Sequence, residues 1–481
     1  MKIALVKPPG TYADWYKHPP LGISYIASCI ERAGFDCKIF DAYFNRWSKN
    51  ELAQRIVEYR PDAVGFTSMT HEIMSAARIA SRLREDIDVP FLIGGCHVTA
   101  LPSQTLKEFT IFDVGVCGEG ENTIIEILQV FKQGKTSNLS SVKGIVFRAS
   151  DGEVIVNEPQ PFLNPEELNK LPYPAFHQYY GNRNTALAGK DSYYVIMSGR
   201  GCPYRCIFCM RVLGCKIRQR SPENVYNEIK YAINHYGAHT FNFEDEIFIY
   251  PNQFIKQLSQ LLIESGLSKT IRWSGLTRVD LIRPELIDQV KKAGCFRLEM
   301  GIESGDDKIL KEIGKNFTVE QAKKAVRIIK QKGISLNTYF ILGHPNENLE
   351  TLRKTVNLAI ELNTDGVSIG IMVPYPGTKV YDMALKGEGG YRLLTNDWSE
   401  FDKYCSKVLE IAGLPYRQLL KWHKRALVLF YLRNLRFFDF IKFFWIRRKA
   451  IYFLFYKFLL RYDKVTQMLK NKQNKHIYLK N

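Results

Sequence analysis

The tightest constraint on this chain is the stretch Gly201-Cys202-Pro203-Tyr204-Arg205-Cys206-Ile207-Phe208-Cys209. Its three cysteines stand in a C-x3-C-x2-C spacing, directly after the apolar run Tyr193 to Met197 and the small residues Ser198 and Gly199. That order predicts a buried strand opening into a loop. A loop of this length can curl until three thiolates face one side of an iron–sulfur cube, and thiolates are the ligands such clusters require. A four-iron cluster takes four ligands, so three local cysteines leave one iron open to a small molecule. Structural zinc is the competing use of clustered thiols, but it wants a fourth ligand and usually pairs two short knuckles. Cys215 lies six residues on, yet no second C-x2-C exists in the chain. A disulfide framework is disfavoured in a chain of 481 residues with α/β patterning. The start, Met1 to Val6, is too short an apolar run for a signal peptide and is expected to form a strand.

On either side of the cysteines, strand and helix signals alternate, which argues for parallel sheets with crossover helices. In residues 1–150 the expected strands are Ile3–Lys7, Lys38–Asp41, Ala63–Thr67, Phe91–Gly95 and Asp113–Cys117. Helices are expected at Ile23–Ala33, Glu51–Tyr59, Ile73–Glu85 and Glu121–Phe131. In such a sheet, ligands bind beyond the carboxyl ends of the strands. Those ends carry Pro8-Pro9-Gly10, Thr67-Ser68-Met69-Thr70, Gly94-Gly95-Cys96-His97 and Gly118-Glu119-Gly120-Glu121, small or polar loops that let backbone approach a bulky ligand. No G-x-G-x-x-G follows the first strand, so a dinucleotide fingerprint is missing. Val142–Arg148 and Glu153–Val156 read as a hairpin, and the prolines from Pro159 to Pro174 as an extended linker.

From residue 190 the alternation resumes. Strands are expected at Tyr193–Met197, Thr240–Phe243, Ile271–Gly275, Phe296–Met300, Leu336–Leu342 and Gly366–Val373. Ser221-Pro222 opens one helix, and Thr318 with Gln321 forms a capping box before another. The strand ends are again polar: Glu244-Asp245-Glu246, Arg278 with Asp280, Gly301-Ile302-Glu303-Ser304-Gly305, and His344-Pro345-Asn346-Glu347. The end of the sixth is Pro374-Tyr375-Pro376-Gly377-Thr378.

Net charge matters only once located. Of a total of +18, residues 421–481 contribute +14, from sixteen Lys and Arg against Asp439 and Asp463, and hold sixteen aromatic residues. The preceding 420 residues are nearly neutral at +4. The longest uncharged stretches of the tail, Ala426–Leu432 and Ala450–Tyr456, are seven residues each. A membrane-spanning helix needs about 20 apolar residues, so the tail does not span. It can lie on an anionic membrane surface or cap the preceding domain. No nucleic-acid-binding module is recognisable, and no nucleic acid partner is expected.

The cysteine spacing resembles the signature of the radical S-adenosylmethionine (SAM) enzymes. The loops at the first sheet's strand ends resemble the cobalamin-binding domain that precedes the radical SAM domain in the B12-dependent branch of that superfamily. That branch includes C-methyltransferases and the anaerobic magnesium-protoporphyrin monomethyl ester cyclase group. The five polar blocks after the later strands follow the same order as in that branch, so the likeness spans roughly residues 1–400. Two departures stand out. There is no D-x-H-x-x-G, the pattern by which some cobalamin proteins supply an axial histidine, and Cys96 stands where the family usually shows proline.

The resemblance implies an α/β architecture in four parts. These are a flavodoxin-like, Rossmann-type cobalamin-binding domain (1–135), a hairpin and Pro-rich linker (136–189), a partial (β/α)6 TIM-barrel radical SAM core (190–400) and a basic aromatic helical region (401–481). It implies a [4Fe–4S] cluster on Cys202, Cys206 and Cys209, with SAM on its open iron and near Glu244, Asp245, Arg278, Glu303 and Ser304. Cobalamin is expected near Pro9, Thr67, Ser68, Thr70, Gly94, Gly95, His97, Gly118, Glu119 and Gly120. The implied chemistry is reductive cleavage of SAM to an adenosyl radical, hydrogen abstraction from an unactivated carbon, and methyl transfer from methylcobalamin. Oxidative cyclisation of a tetrapyrrole or similar hydrophobic substrate is the alternative within the branch. A non-catalytic iron–sulfur or zinc sensor or scaffold at a membrane surface is the alternative outside it. Also implied are oxygen sensitivity, an electron donor such as flavodoxin or ferredoxin, and a cytoplasmic location, peripheral at the inner face of the membrane if the tail docks there.

Overall fold

The computed structural model describes residues 1–9, 18–134, 136–181, 186–189, 192–402, 407–439 and 441. The chain forms two compact units, Met1–Ala426 and Leu427–Asn481.

In the first unit, a seven-stranded sheet is built from β1 (Lys2–Lys7), β2 (Asp36–Asp41), β3 (Ala63–Thr67), β4 (Phe91–Gly94), β5 (Val114–Val116), β6 (Ile145–Arg148) and β7 (Val154–Val156). Their order is β2-β1-β3-β4-β5-β6-β7. The first five are parallel, in the flavodoxin-like order that reverses direction between β1 and β3. Helices cover both faces, so the strands are continuously apolar rather than alternating. In β1, Ala4 and Val6 enter one core with Val64 and Ile93, while Ile3 and Leu5 enter the other with Leu92 and Val114.

Three differences from expectation follow from chain chemistry. The hairpin expected in the linker pairs antiparallel with β5 and so forms the far edge of this sheet. The Pro-rich stretch is not wholly extended. Pro165 takes the first position of a short helix, Pro165–Lys170, capped by Asn164, where a missing N–H does no harm. His97 lies on a short helix, Cys96–Ala100, not in a loop.

The second sheet contains β8 (Tyr194–Ile196), β11 (Thr240–Phe243), β12 (Arg272–Thr277), β13 (Cys295–Glu303), β14 (Ser335–Leu342) and β15 (Gly366–Ile371). All six are parallel and adjacent in sequence order. Between β8 and β11, β9 (Gly199–Arg200) and β10 (Arg218–Gln219) form a two-stranded antiparallel ribbon. Along β14, Leu336, Thr338, Phe340 and Leu342 are buried, while Asn337 and Tyr339 remain half-buried. One face therefore packs under helices, and the other keeps polar groups at hand. The helix Pro222–Tyr236 starts on Ser221, whose side chain accepts from the Asn224 N–H at 3.1 Å, and Val319–Gln331 starts on the Thr318–Gln321 capping box.

After β15, two further strands, β16 (Tyr391–Leu393) and β17 (Leu409–Ile411), pair antiparallel. Trp398, Phe401 and Val408, in and beside the segment between them, lie in the core of the N-terminal sheet with Phe66 and Ile73. The last described helix, Tyr416–Arg433, buries Leu419 and His423, and His423 Nε2 lies 2.8 Å from the Ile369 carbonyl. In the second unit, Leu432, Leu435, Phe437, Phe438 and Ile441 are exposed. The apolar run Ala450–Tyr456 and most of the basic tail lie outside the described residues. No described helix is long and apolar enough to cross a membrane.

Candidate functional site

The ribbon of β9 and β10 closes the cysteine loop at its root, with Arg200 and Arg218 as register partners. Gly201 makes the turn at φ +90°, and a Cβ there would lie 2.2 Å from the Lys216 carbonyl oxygen. Only glycine fits that approach. Further out, the loop is pinned by backbone hydrogen bonds. Ile207 N–H donates to the Ile313 carbonyl and Val380 N–H to the Ile207 carbonyl, each at 3.2 Å. Cys206 is buried, Cys202 half-buried and Cys209 exposed.

Cys206 and Cys209 share a hydrogen bond, which draws the Cys206 thiol down to about 6 and pushes Cys209 up. Burial opposes the drop at Cys206, and the cations of Lys315 and Arg278 assist it. Burial raises Cys202. Among the described residues, no group of three or more His, Cys, Asp or Glu side chains is preassembled around a metal. The donor set nevertheless fits a thiolate-held cluster: three thiols on one loop, beside two buried cations that offset thiolate charge.

Those cations are built in carefully. Arg278 Nη1 lies 3.7 Å from Cys206 Sγ, and its other nitrogens bond Asp280 at 3.0 Å and the Lys315 carbonyl at 2.8 Å. The guanidinium also sits 3.5 Å over the Tyr204 ring. Lys315 Nζ reaches Glu303 Oε1 at 3.0 Å and the Gly301 carbonyl at 3.0 Å. Glu303 follows a β-bulge and holds φ +75°, an unusual conformation for a side-chain-bearing residue. A Cβ on Gly301 would meet the Glu303 carboxylate, so that glycine leaves room for the ion pair. Ser304 is buried against Thr355, Oγ to Oγ1 at 3.3 Å.

Asp245 also faces inward. It accepts from Ser198 Oγ at 2.7 Å, Ser198 N–H at 3.1 Å and Gly199 N–H at 2.6 Å, and burial pushes its carboxyl up to about 6 despite these bonds. It therefore anchors the root of the cysteine loop. Asp245, Arg278, Glu303 and Ser304 are all buried and bonded within the protein, whereas the Glu244 side chain is 37% exposed. Next to them, Glu246 is raised to about 7 by burial, with Oε2 lacking a hydrogen-bond partner among the described residues.

At the N-terminal sheet, the expected residues gather at the ends of β1, β3, β4 and β5. The Pro9 carbonyl accepts from Ser75 Oγ at 3.1 Å. Thr67 ends β3, and the Ser68 N–H bonds the Gly94 carbonyl at 2.9 Å. Gly95 has φ +106°, and a Cβ there would lie 2.5 Å from the Ser68 carbonyl oxygen. Gly118 is open, with nothing within 4 Å of an added Cβ, while one at Gly120 would touch Ile26 at 3.1 Å. His97 packs edge-on against Trp398, ring centres 4.9 Å apart, and burial pushes it down to about 4. His97 Nδ1 and Thr70 Oγ1 are buried without hydrogen-bond partners among the described residues. The open backbone at Gly118 and the orphaned polar atoms of His97 and Thr70 fit a bulky polar ligand such as a corrinoid.

Glu119 stands apart from these. Its carboxylate takes both Nη atoms of Arg218 at 2.8 Å, Arg200 Nη1 at 3.1 Å and the Leu163 N–H at 2.7 Å. Burial would raise its carboxyl, but Arg218 and Arg200 hold it below the usual range. It is a tie to the cysteine loop. Sequence reading missed Lys315, Arg200 and Arg218 because their partners are distant along the chain; the strand-end glutamates were the only signal.

A model of the radical SAM superfamily matches residues 196–359, and one of the B12 binding domain matches residues 15–128. An uncharacterised methyltransferase of Pyrococcus horikoshii is 30% identical over 442 residues, covering 90% of this chain and 93% of that protein. The anaerobic magnesium-protoporphyrin IX monomethyl ester cyclase of Rubrivivax gelatinosus is 30% identical over 370 residues, covering 76% and 66%. Among solved structures, the radical SAM methyltransferase TsrM from Kitasatospora setae, with cobalamin and [4Fe–4S] cluster bound, superposes with a TM-score of 0.67 at 19% identity. That match covers 88% of this chain and 80% of TsrM. The cobalamin-dependent SAM radical enzyme OxsB superposes with a TM-score of 0.65 at 20% identity, covering 88% and 61%. At such identities the superpositions speak for the fold.

Proposed function

Because this chain belongs to the radical SAM superfamily and carries a B12 binding domain ahead of its radical SAM domain, we propose that it methylates an unactivated carbon of a small, hydrophobic substrate. The carrying observation is a juxtaposition. The loop ending β5, at the ligand-binding end of the N-terminal sheet, bonds directly to both residues that close the cysteine loop. Two cofactor sites that share a wall suit a reaction needing both. A non-catalytic sensor or scaffold would have no use for that wall, and that reading is set aside.

In this reading Cys202, Cys206 and Cys209 hold a [4Fe–4S] cluster. Glu244, the exposed acid of its strand end, receives the amino group of SAM. Pro9, Thr67, Ser68, Thr70, Gly94, Gly95, His97, Gly118 and Gly120 surround cobalamin. When bound, the cluster supplies the electron that splits SAM, and cobalamin supplies a transferable methyl group. The protein's own groups position and shield. Asp245 fixes the loop root, Arg278 and Lys315 place positive charge beside Cys206, and Glu303 with Ser304 fixes the end of β13. The six-stranded sheet is read as a partial (β/α)6 barrel whose polar face lines the substrate space, and electrons come from a flavodoxin or ferredoxin.

Oxidative cyclisation of a tetrapyrrole is the second reading, favoured by the 30% identity to the cyclase of Rubrivivax gelatinosus. Anaerobically purified protein should show both iron–sulfur and corrinoid absorption. Replacing Cys202, Cys206 and Cys209 together with alanine should abolish iron content and 5′-deoxyadenosine formation from SAM. Unchanged iron and cleavage in that variant would end the reading. The product made from a tetrapyrrole ester, a new ring or an added methyl group, separates the two chemistries.

The tail is read as a peripheral anchor at the inner face of the cytoplasmic membrane. In support, Leu432, Leu435, Phe437 and Phe438 are exposed among Arg433 and Arg436, and basic residues near an anionic surface contribute about 1 kcal/mol each. Full-length protein should co-sediment with anionic vesicles at low salt and less at high salt. No binding at low salt would leave the tail a cap.

A further inference from the structure

We infer that Glu119 couples the two halves of the site: a corrinoid bound at the strand ends of the N-terminal sheet orders the cysteine loop chiefly through this carboxylate, with Glu121 as a lesser branch. The inference rests on the two-cofactor reading above and deepens it.

The network is continuous. The helix carrying His97 also carries Thr99, whose Oγ1 accepts from the Gly118 N–H at 3.0 Å and donates to the Gly95 carbonyl at 2.8 Å. Gly95, His97 and Gly118 are all among the residues read as corrinoid contacts. Glu119 is the next residue, and its side chain grips Arg218 with both oxygens. Arg218 also donates to the Leu163 carbonyl outside the loop and to the Leu213 carbonyl inside it, each at 2.7 Å. Arg200 spans Glu119 and Glu121.

Arg200 and Arg218 are the pair that closes the ribbon, so every residue from 201 to 217, including all three cysteines, hangs from them. Two carboxylates balance two guanidiniums, with the Glu119 side chain 3% and the Arg200 side chain 4% exposed. Losing the Glu119 charge leaves Arg218 without its bidentate partner in a place water barely reaches, and the ribbon loosens. Any ligand that stiffens the loop from Gly118 to Glu121 thereby favours the closed ribbon. By linkage, a filled cysteine loop favours the ligand by the same factor.

The test is hydrogen exchange, read by mass spectrometry, on full-length anaerobic protein with its cluster, with and without hydroxocobalamin. In the native protein, hydroxocobalamin should slow exchange across residues 199–218 by about tenfold, within the range common for coupled sites. In Glu119→Gln the corrinoid should still co-elute on gel filtration, but its protection of 199–218 should fall below about twofold, near the level of uncoupled sites. Glu121→Gln cuts only the Arg200 branch and should give an intermediate value, which keeps the test alive if Glu119→Gln fails to fold. Equal protection in variants and native protein, or none in native protein with corrinoid bound, overturns the inference. Failure of native protein to retain corrinoid overturns the two-cofactor reading beneath it and the inference with it.

Discussion

Replacing Lys315 by methionine should destabilise the folded protein by about 5 kcal/mol, because it strands Glu303. The Lys315 and Glu303 side chains are 7% and 9% exposed, and their charged atoms are 3.0 Å apart. Removing one partner of such a buried pair typically costs about 3–5 kcal/mol, since the remaining charge cannot recover its hydration. The lost bond from Lys315 Nζ to the Gly301 carbonyl adds about 1 kcal/mol, at the neutral end of hydrogen-bond values. Methionine keeps most of the chain's bulk, which limits any cavity. Adding Glu303→Gln removes the second charge, so the double variant should recover all but about 2 kcal/mol. Equilibrium urea unfolding of all four proteins gives the coupling energy from the midpoints and slopes. Because Lys315 lies under Phe208 of the cysteine loop, 5.8 Å from its ring centre, iron retention should follow the same ranking. If Lys315→Met stays within about 1 kcal/mol of native, or the double variant is no better than the single, the ion pair does not hold this site together.

Gly201→Ala should lower iron retention and melting temperature, since φ +90° alone costs a side-chain-bearing residue roughly 1–2 kcal/mol and the Lys216 carbonyl must also move; unchanged iron content would refute this. Burial pushes Glu347 from its ordinary 4.5 up to about 8, so the folded state binds this proton more tightly than the unfolded state. That stabilisation is complete below the unfolded value and is lost as pH rises through the folded one. Glu347→Gln should therefore flatten the fall in melting temperature across that window, and a slope equal to native would contradict it. His97→Ala should leave a base-off corrinoid spectrum unchanged, as the missing D-x-H-x-x-G implies; a shifted spectrum would instead point to imidazole on cobalt.

Much of this was legible in the chain because it is local. The cysteine spacing, the continuous apolar strands and the caps at Ser221 and Thr318 are each encoded within a few residues. What escaped depends on distance. A lone Lys315 reads as a solvated charge until Glu303 is seen above it. Glu119, flanked by glycines at a strand end, resembles a ligand contact, and only Arg200 and Arg218, some 80 to 100 positions on, give it another task. The ribbon of β9 and β10 has two residues per strand, too few for any periodicity. The hairpin of β6 and β7 was visible as a hairpin, but which sheet it joined was not, because pairing partners leave no mark in a linear pattern.

The placement of Trp398, Phe401 and Val408 within the core of the N-terminal sheet sets a timetable for synthesis. A nascent chain could pair its first five strands once they have left the ribosome, yet their apolar core would stay unfilled until some 290 further residues had emerged, as residue 408 follows the end of β5 at that interval. During that wait Phe66 and Ile73 lack part of their final packing, and the early sheet is a sticky, incomplete object. A fragment stopped before residue 398 would inherit that defect permanently, and should aggregate even though its strands are all present.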